Sequence, residues 1–206
     1  MGPMSPRLRR LAGGLLMAAG ALFLCVPARD AATAWRAQAL GRRAVLAALE
    51  PPAARTAAPR REGDVVGRIE IPRLGMDAVV FEGTSDATLR RGPGHLPGTA
   101  WPRSAASDGN CVIAGHRDSF FRRLEGARPG DLVRVSGPRG TVTYRLESHR
   151  VVRPDRVEVL APTHEPRLTL VTCYPFGFVG HAPDRLVWTA RPVPPLKAAA
   201  IGPSAR

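Results

Sequence analysis

The stretch LTLVTCYPF, residues 168–176, is an apolar run that ends in a cysteine, an aromatic residue and a proline. Such a run predicts a strand, and the proline predicts that the strand ends beside Cys173. Two further apolar runs carry His116 and Arg185 near an end, CVIAGHRD (111–118) and DRLVW (184–188). A thiol, an imidazole and a guanidinium at strand ends are the groups that acyl transfer through a thioester uses.

The segment from residue 64 to residue 191 consists of short apolar or alternating runs separated by Gly and Pro. This punctuation predicts an all-β fold with small helices at 85–91 and 120–124 rather than βαβ units. Seven or eight short strands favour a closed β-barrel, because closure removes the sheet edges. The predicted strands are 65–71, 77–81, 110–114, 132–135, 140–152, 167–172 and 186–190.

The formal net charge of +13 does not indicate a nucleic-acid-binding protein. Most of the excess lies outside residues 64–191, and that segment has no basic stripe of the kind that a duplex-binding face requires. The three cysteines, Cys25, Cys111 and Cys173, form no disulfide framework. Cys25 lies in an apolar N-terminal run and Cys111 is flanked by apolar residues, so Cys173 is the candidate reactive thiol.

The N-terminal residues have the pattern of a membrane segment. Arginines at positions 7, 9 and 10 precede an uncharged apolar run over 11–27, which favours a cytoplasmic N-terminus. We interpret 1–27 as an uncleaved signal-anchor; a cleaved secretory signal is the alternative, and both place the rest of the chain outside the cytoplasm. Residues 28–63 are interpreted as a helical stalk and a Pro/Ala/Arg-rich linker, 64–191 as the catalytic domain and 192–206 as a disordered tail.

Each candidate residue also has a simpler interpretation. Cys173 taken alone would most often be a buried structural cysteine, and His116 a hydrogen-bonded structural histidine. Arg185 taken alone would be expected to form a surface ion pair with Asp184. A zinc site is not indicated, because Cys111 and His116 are five residues apart and the sequence offers no second ligand pair.

Three motifs, in this order, resemble the sortase family: AGHR (114–117), TLVTC (169–173) and the strand arginine Arg185. The pieces GPGH (92–95) and CYPF (173–176) are most similar to class D sortases, with class E next. The resemblance implies an eight-stranded sortase-type β-barrel preceded by an N-terminal membrane helix, with no cofactor and no metal. It also implies a cysteine transpeptidase that cleaves an LPxTG-like sorting signal at the threonine carbonyl.

The resemblance further implies that Cys173 is the nucleophile, His116 the acid and base, and Arg185 the donor to the oxyanion. An amine on a cell-envelope acceptor would then release the acyl group, and secreted proteins that carry the sorting signal would be the partners. An extended peptide of this kind fits a groove formed by strands and loops on the barrel wall. The residues expected to line that groove are Thr172, Tyr174, Pro175, Ala114 and His95.

Two other functions stay open at this point. Another cysteine acyltransferase of the cell envelope, such as an L,D-transpeptidase, also uses Cys, His and Arg, but its nucleophile follows Ser-His-Gly, whereas Cys173 follows Val171 and Thr172. A non-catalytic, membrane-anchored β-domain that binds peptides would need no reactive thiol. Selective labelling of Cys173 by an electrophilic probe is expected to separate an enzyme from such a domain.

Overall fold

Eight strands form a closed barrel in the computed structural model of the chain, which describes residues 6–49, 60–102 and 109–194. The strands are β1 (Val65–Ile71), β2 (Met76–Glu82), β3 (Gly94–His95), β4 (Asn110–Gly115), β5 (Leu132–Gly137), β6 (Gly140–Val152), β7 (Arg167–Tyr174) and β8 (Asp184–Pro192). Their order around the barrel is β1-β2-β3-β4-β7-β8-β6-β5, and β5 pairs with β1 to close it. The all-β barrel expected from the sequence is confirmed.

Two neighbouring pairs, β2–β3 and β4–β7, are parallel, and the other pairs are antiparallel. Within the β4–β7 pair, Ile113 is the register partner of Leu170, and Gly115 is the partner of Thr172. Because the two strands run in the same direction, their carboxyl ends lie at the same edge of the sheet. The residues that follow Gly115 and Thr172 therefore emerge side by side.

The barrel interior is filled by alternate residues of each strand, as expected for a pleated strand with one buried face. Ile113, Leu168, Leu170, Leu186 and Trp188 are each at most 5% exposed and belong to one contiguous core. Burying a side chain of this size stabilises the fold by about 1.5–3 kcal/mol relative to leaving it exposed. The intervening residues of β4, β7 and β8 face away from this core.

In the described part of the chain one helix, α1 (Pro6–Leu49), precedes the barrel, and it continues through Pro27. Its stretch from Ala12 to Leu46 is long and apolar enough to cross a membrane, by length and composition, and its most apolar part is not buried. The second half of α1 packs on the barrel, where Val45 is buried against β2. The same helix therefore includes the expected anchor and, as far as Leu49, the stalk that was expected to follow it.

Gln38 fastens α1 to β2. Its Oε1 accepts a hydrogen bond of 2.7 Å from the backbone N–H of Val79, and its Nε2 donates to the carbonyl oxygens of Val79 (3.2 Å) and Arg91 (2.9 Å). One turn further on, a Cβ atom built on Gly41 would lie 2.7 Å from Cγ1 of Val79. Glycine at this position thus allows the helix to approach the strand closely.

Short helices connect the strands. One is α2 (Asp86–Arg91), which begins after Ser85; the Ser85 hydroxyl accepts a hydrogen bond of 3.3 Å from the backbone N–H of Thr88. Three 3-10 helices span Pro72–Leu74, Phe120–Gly126 and Val157–Leu160. Both helical patches predicted from the sequence are present, the second as a 3-10 helix.

Several strands differ from those expected. β3 has only two residues, Gly94–His95, which is too short to show alternation in the sequence. β7 continues to Tyr174, two residues beyond its expected end, so that Pro175 ends the strand. β8 includes Pro192, the first residue of the expected tail, and residues 195–206 of that tail lie outside the described residues.

The linker expected at the end of 28–63 is described from residue 60 onward, and residues 50–59 lie outside the described ranges. Its last residues contact the barrel. The backbone N–H of Gly63 donates a hydrogen bond of 2.8 Å to the carbonyl of Glu82, and the Arg60 guanidinium lies 5.3 Å from the centre of the Trp101 ring. This part of the linker is fixed to the domain instead of extending away from it.

Candidate active site

Strand register brings the three candidate residues together. Cys173 and Arg185 are direct partners in the antiparallel β7–β8 pair. On the other side of β7, Gly115 is the partner of Thr172, so His116 follows beside Cys173. Cys173 therefore lies on the strand between those that carry the imidazole and the guanidinium.

The three side chains also belong to the same face of the sheet. Successive side chains of a strand point to opposite faces. Cys173 lies three residues after the core residue Leu170, and Arg185 lies one residue before the core residue Leu186, so both face outward. His116 stands in the same relation to a core residue of β4, Ile113. A thiol, an imidazole and a guanidinium thus share the outer face of β4, β7 and β8.

The thiol of Cys173 is half-buried, which is compatible with attack on a peptide that lies on the outer face. Cys111, by contrast, is 1% exposed inside the barrel, and burial raises the pKa of its thiol well above the usual range. A thiol that stays protonated is a poor nucleophile. The structure thus supports the choice between the two barrel cysteines made from the sequence.

His116 contacts a carboxylate that sequence reasoning missed. Its Nε2 lies 3.6 Å from Oδ1 of Asp86, the first residue of α2. The Asp86 side chain is 65% exposed and also forms an ion pair with Arg90, so its hold on the imidazole is weak. The sequence shows that a helix begins after Ser85, but nothing in it links positions 86 and 116.

Arg185 contacts backbone carbonyls and not the carboxylate expected from the sequence. Its Nη1 donates to the carbonyl oxygens of Asp184 at 2.8 Å and Ala182 at 3.2 Å. Among the described residues no ion pair between Arg185 and the Asp184 carboxylate is present. The guanidinium has five N–H donors. It can therefore keep these contacts and still offer donors to a carbonyl oxygen beside Cys173.

Thr172 is 2% exposed, and its hydroxyl donates a hydrogen bond of 2.7 Å to the carbonyl of Gly115. Its side chain lies on the core side of β7, opposite to Cys173. Because Thr172 is buried, its position does not agree with the prediction that it contacts the substrate. Its hydrogen bond indicates a different role. It ties β7 to β4 at the point where Cys173 and His116 emerge.

The other predicted groove residues lie in different settings. Ala114 is half-buried, is the partner of Val171 in the β4–β7 pair and belongs to the same face as His116. Tyr174 and Pro175, which are joined by a cis peptide bond, border a cavity of about 350 Å³ together with Phe176. The core residues Leu186 and Trp188 of β8 line the same cavity, whereas Cys173 does not. Of these three residues, Ala114 is the one whose position fits a groove on the outer face.

His95 is 2% exposed and lies within a buried hydrogen-bond network. Its Nδ1 is 2.9 Å from Oε2 of Glu82, its Nε2 is 3.1 Å from the Thr99 hydroxyl, and its ring packs edge-on against Trp101. These contacts satisfy both ring nitrogens inside the protein. They correct the expectation that His95 lines the groove, since its ring is sealed from a bound peptide.

A wall beside the outer face is held by an asparagine that sequence reasoning also missed. Asn110 accepts a hydrogen bond of 2.7 Å from the Thr169 hydroxyl, and its Nδ2 donates to the carbonyls of Ala161 (3.2 Å) and Val159 (3.4 Å). These bonds join β4 and β7 to the connection between β6 and β7. The connection is therefore fixed to the beginnings of the two strands whose ends carry His116 and Cys173.

Comparison with known proteins gives one family. The family model described as "Sortase domain" matches residues 69–193. The chain is 35% identical over 126 residues to "Sortase D" of Bacillus subtilis (strain 168), covering 61% of this chain and 62% of that protein. It is 30% identical over 115 residues to "Sortase A" of Listeria monocytogenes, covering 53% of this chain and 49% of that protein. The chain thus spans about half to three fifths of the length of these curated relatives.

Solved structures with the same barrel come from the same family. A Clostridium perfringens sortase D5 transpeptidase is 28% identical, with a TM-score of 0.58, and the match covers 66% of this chain and 82% of that chain. A Clostridium perfringens sortase C, solved with its C-terminal cell wall sorting motif, is 27% identical, with a TM-score of 0.59, and the match covers 68% and 78%. The family model matches more than half of the residues of this chain, and the chain therefore belongs to the sortase family.

Proposed function

We propose that this chain is a membrane-anchored cysteine transpeptidase of the cell envelope. It cleaves an LPxTG-like sorting signal at the threonine carbonyl, through a thioester on Cys173, and passes the acyl group to an amine of a surface acceptor. The observation that carries the proposal is the strand register, which aligns His116, Cys173 and Arg185 on one face of the barrel.

In the first step the Cys173 thiolate attacks the threonine carbonyl carbon of the sorting signal. The C–N bond to the next residue then breaks, and the His116 imidazolium gives its proton to the leaving amine. The product is a thioester between Cys173 and the threonine. The position of His116 beside Cys173, at the carboxyl ends of two parallel strands, supports this division of roles.

During both steps the carbonyl oxygen becomes an oxyanion, and Arg185 stabilises it. Arg185 is the register partner of Cys173 in the β7–β8 pair. It stays charged at any working pH and offers donors where the negative charge develops. The backbone carbonyls of Ala182 and Asp184, which accept from its Nη1, hold the side chain in place before the substrate arrives.

In the second step an amine of the acceptor attacks the thioester. The neutral His116 imidazole takes the proton from this amine, the C–S bond breaks, and the Cys173 thiolate is restored. A thioester is reactive toward amines, which suits transfer in place of hydrolysis. The acceptor is a component of the cell surface that presents a primary amine.

The sorting signal lies in the groove on the outer face of β4 and β7. The β6–β7 connection, which Asn110 holds to these strands, forms one wall. An extended peptide is recognised well by such a combination of strands and loops. The Clostridium perfringens sortase C solved with its sorting motif supports a peptide substrate of this class for the fold.

In this proposal α1 anchors the barrel to the outer side of a membrane. Part of its stretch from Ala12 to Leu46 is long and apolar enough to cross a membrane, by length and composition, and the arginines at positions 7, 9 and 10 favour a cytoplasmic N-terminus. The barrel that follows is then extracytoplasmic. Secreted proteins reach it there with their sorting signals.

The test of this function is acyl-enzyme trapping on the full-length chain in detergent micelles. The chain is incubated with a library of LPxTG-like peptides, and the fragment attached to Cys173 is identified by mass spectrometry. We expect a mass that ends at threonine, and its loss when a primary amine is added. The Cys173→Ala variant should form no adduct and cleave no peptide.

Cys25→Ala is the matched control, because Cys25 is an exposed thiol on α1, away from the barrel. This variant should cleave as fast as the wild-type chain. Continued cleavage by Cys173→Ala would show that the thioester mechanism is wrong. A wild-type chain that is labelled at Cys173 by an electrophile but forms no acyl adduct with any peptide would remove the sorting-signal substrate from the proposal.

A further inference from the structure

The loop between β7 and β8, residues 175–183, contains neither helix nor strand. It carries two exposed apolar side chains, Phe178 and Val179, the second of them 93% exposed. One residue from outside the loop holds its middle. Nη2 of Arg117 donates to the carbonyl oxygens of Phe178 at 2.7 Å and Gly180 at 2.8 Å.

A second arginine holds the end of the same loop. Nη1 of Arg185 donates to the carbonyls of Ala182 and Asp184. Every second carbonyl from residue 178 to residue 184 is thus bound by one of two guanidiniums. Arg117 follows His116 directly in the chain, and Arg185 is the register partner of Cys173, so the loop connects the two sides of the candidate site.

We propose that Arg117 is a positioning residue that braces the β7–β8 loop and, through the Ala182 carbonyl, directs the Arg185 guanidinium toward Cys173. Arg117 touches neither the thiol nor a reacting atom. It acts on the loop, and the loop acts on Arg185. These two hydrogen bonds from Arg117 to the carbonyls of Phe178 and Gly180 are called the brace. The expected effect of the brace on the kinetics rests on the proposed transpeptidase function, whereas its effect on the order of the loop does not.

The chemistry of the loop explains why it needs such a brace. It contains Gly177 and Gly180, and Gly180 has a φ of 90°, a conformation that glycine adopts at little cost. Ordering a glycine-containing segment costs conformational entropy, which local contacts must offset. A single guanidinium nitrogen bridging two carbonyls does so with charge-assisted hydrogen bonds. Without it, the Ala182 carbonyl moves with the loop and Arg185 loses a fixed partner.

The brace is tested by limited proteolysis of the full-length chain in detergent micelles. Chymotrypsin cleaves after Phe178, and mass spectrometry follows the cleavage of this bond alone. We expect Arg117→Ala to be cut about tenfold faster than the wild-type chain, because it loses two hydrogen bonds from a charged donor. Arg117→Lys should be intermediate, since a lysine keeps the charge without the planar donor geometry.

Arg122→Ala is the control for loss of a positive charge nearby. Arg122 is exposed on the 3-10 helix that follows His116, and its ion-pair partner among the described residues is Glu125. This variant should be cut at the wild-type rate. Equal rates of cleavage for Arg117→Ala and the wild-type chain would overturn the brace.

The link to Arg185 is tested by cleavage kinetics with a fluorogenic LPxTG-like peptide. Arg117→Ala is expected to lower kcat by about tenfold or more with a smaller change in KM, since the misdirected donor acts in the transition state. In an Arg185→Ala background the same substitution should cause little further loss. Full additivity of the two effects would overturn the link. If the wild-type chain cleaves no such peptide, the proposed function fails, and the proteolysis result still decides the brace.

Discussion

The hydroxyl of Thr172 donates a hydrogen bond of 2.7 Å to the carbonyl oxygen of Gly115. These are the residues that precede Cys173 and His116, the proposed nucleophile and the proposed acid and base. The bond is buried, and it joins the two parallel strands at the last register pair before the site. It therefore fixes how far the thiol stands from the imidazole.

Replacing Thr172 with valine keeps the shape of the side chain and removes this bond. We expect Thr172→Val to lower the stability of the chain by about 1 kcal/mol. It should lower kcat/KM by about tenfold, since the reacting groups are no longer held at a fixed separation. The measurements are thermal unfolding and cleavage of a fluorogenic LPxTG-like peptide.

Two further variants make this prediction specific. Thr172→Ser keeps the hydroxyl and should retain most of the activity. Thr189→Val removes a hydroxyl on the outer part of β8, where it contacts Ser148 at an exposed site, and should affect neither measurement. Wild-type kinetics for Thr172→Val would mean that the spacing of the strand ends does not depend on this bond.

The Arg185→Ala substitution is expected to reduce kcat by about a hundredfold or more, because the proposed donor to the oxyanion is lost. The change in KM should be smaller, since the proposed peptide substrate would keep its contacts with the outer face of β4 and β7. Arg185→Lys should recover only part of the rate, because a lysine cannot hold the Asp184 carbonyl and the oxyanion with one planar group. A kcat unchanged in Arg185→Ala would return this residue to a structural role in the loop.

Much of the barrel could be predicted from the sequence, because strands with one buried face alternate and end at Gly or Pro. The candidate residues His116, Cys173 and Arg185 could be found for the same reason, since each lies near the end of such a run. β3 could not be predicted, because Gly94–His95 is too short to carry a pattern.

Sequence patterns could not predict contacts between residues that are distant in the chain. His95 lies among glycines and prolines, which suggests a surface loop, yet its ring is buried against Glu82. Thr172 appears in a motif beside Cys173, which suggested a substrate contact, but alternation along β7 turns its side chain to the core side. Asp86 and Asn110 carry no local signal, because their partners are set by the packing of other elements.

An ion pair between Arg73 and Asp131 is expected to make the stability of the barrel depend on pH. Nη2 of Arg73 donates to Oδ2 of Asp131 at 2.6 Å, and hydrogen bonding by Arg73 is the main reason why the pKa of the Asp131 carboxyl lies below its usual range. The unfolded chain therefore takes up this proton at a higher pH than the folded chain. The contribution of this ion pair to stability is fully present above the pKa of Asp131 in the unfolded chain, about 4. It is lost as the pH falls through the lower pKa that this carboxyl has in the folded chain.

The Asp131→Asn variant has no carboxyl to protonate at this position. Its Tm should be lower than that of the wild-type chain at neutral pH, and the difference should shrink as the pH falls from about 5 to about 3. Asp155→Asn, at an exposed position on the β6–β7 connection, should follow the wild-type curve. A difference in Tm that is the same at every pH would show that the pair contributes through packing and not through charge.

The contribution of Gln38 to the packing of α1 on the barrel can be measured as a change in stability. Its amide satisfies both backbone groups of Val79 on β2, and a Gln38→Leu substitution would leave these buried groups without that partner. We expect a loss of about 1–3 kcal/mol, seen as a lower Tm of the full chain in detergent micelles. Thr33→Ala, an exposed substitution one turn earlier in α1, should leave the Tm unchanged. If Gln38→Leu unfolds at the wild-type temperature, the helix is held by the apolar contacts of Val45, and its orientation on the barrel does not depend on the amide.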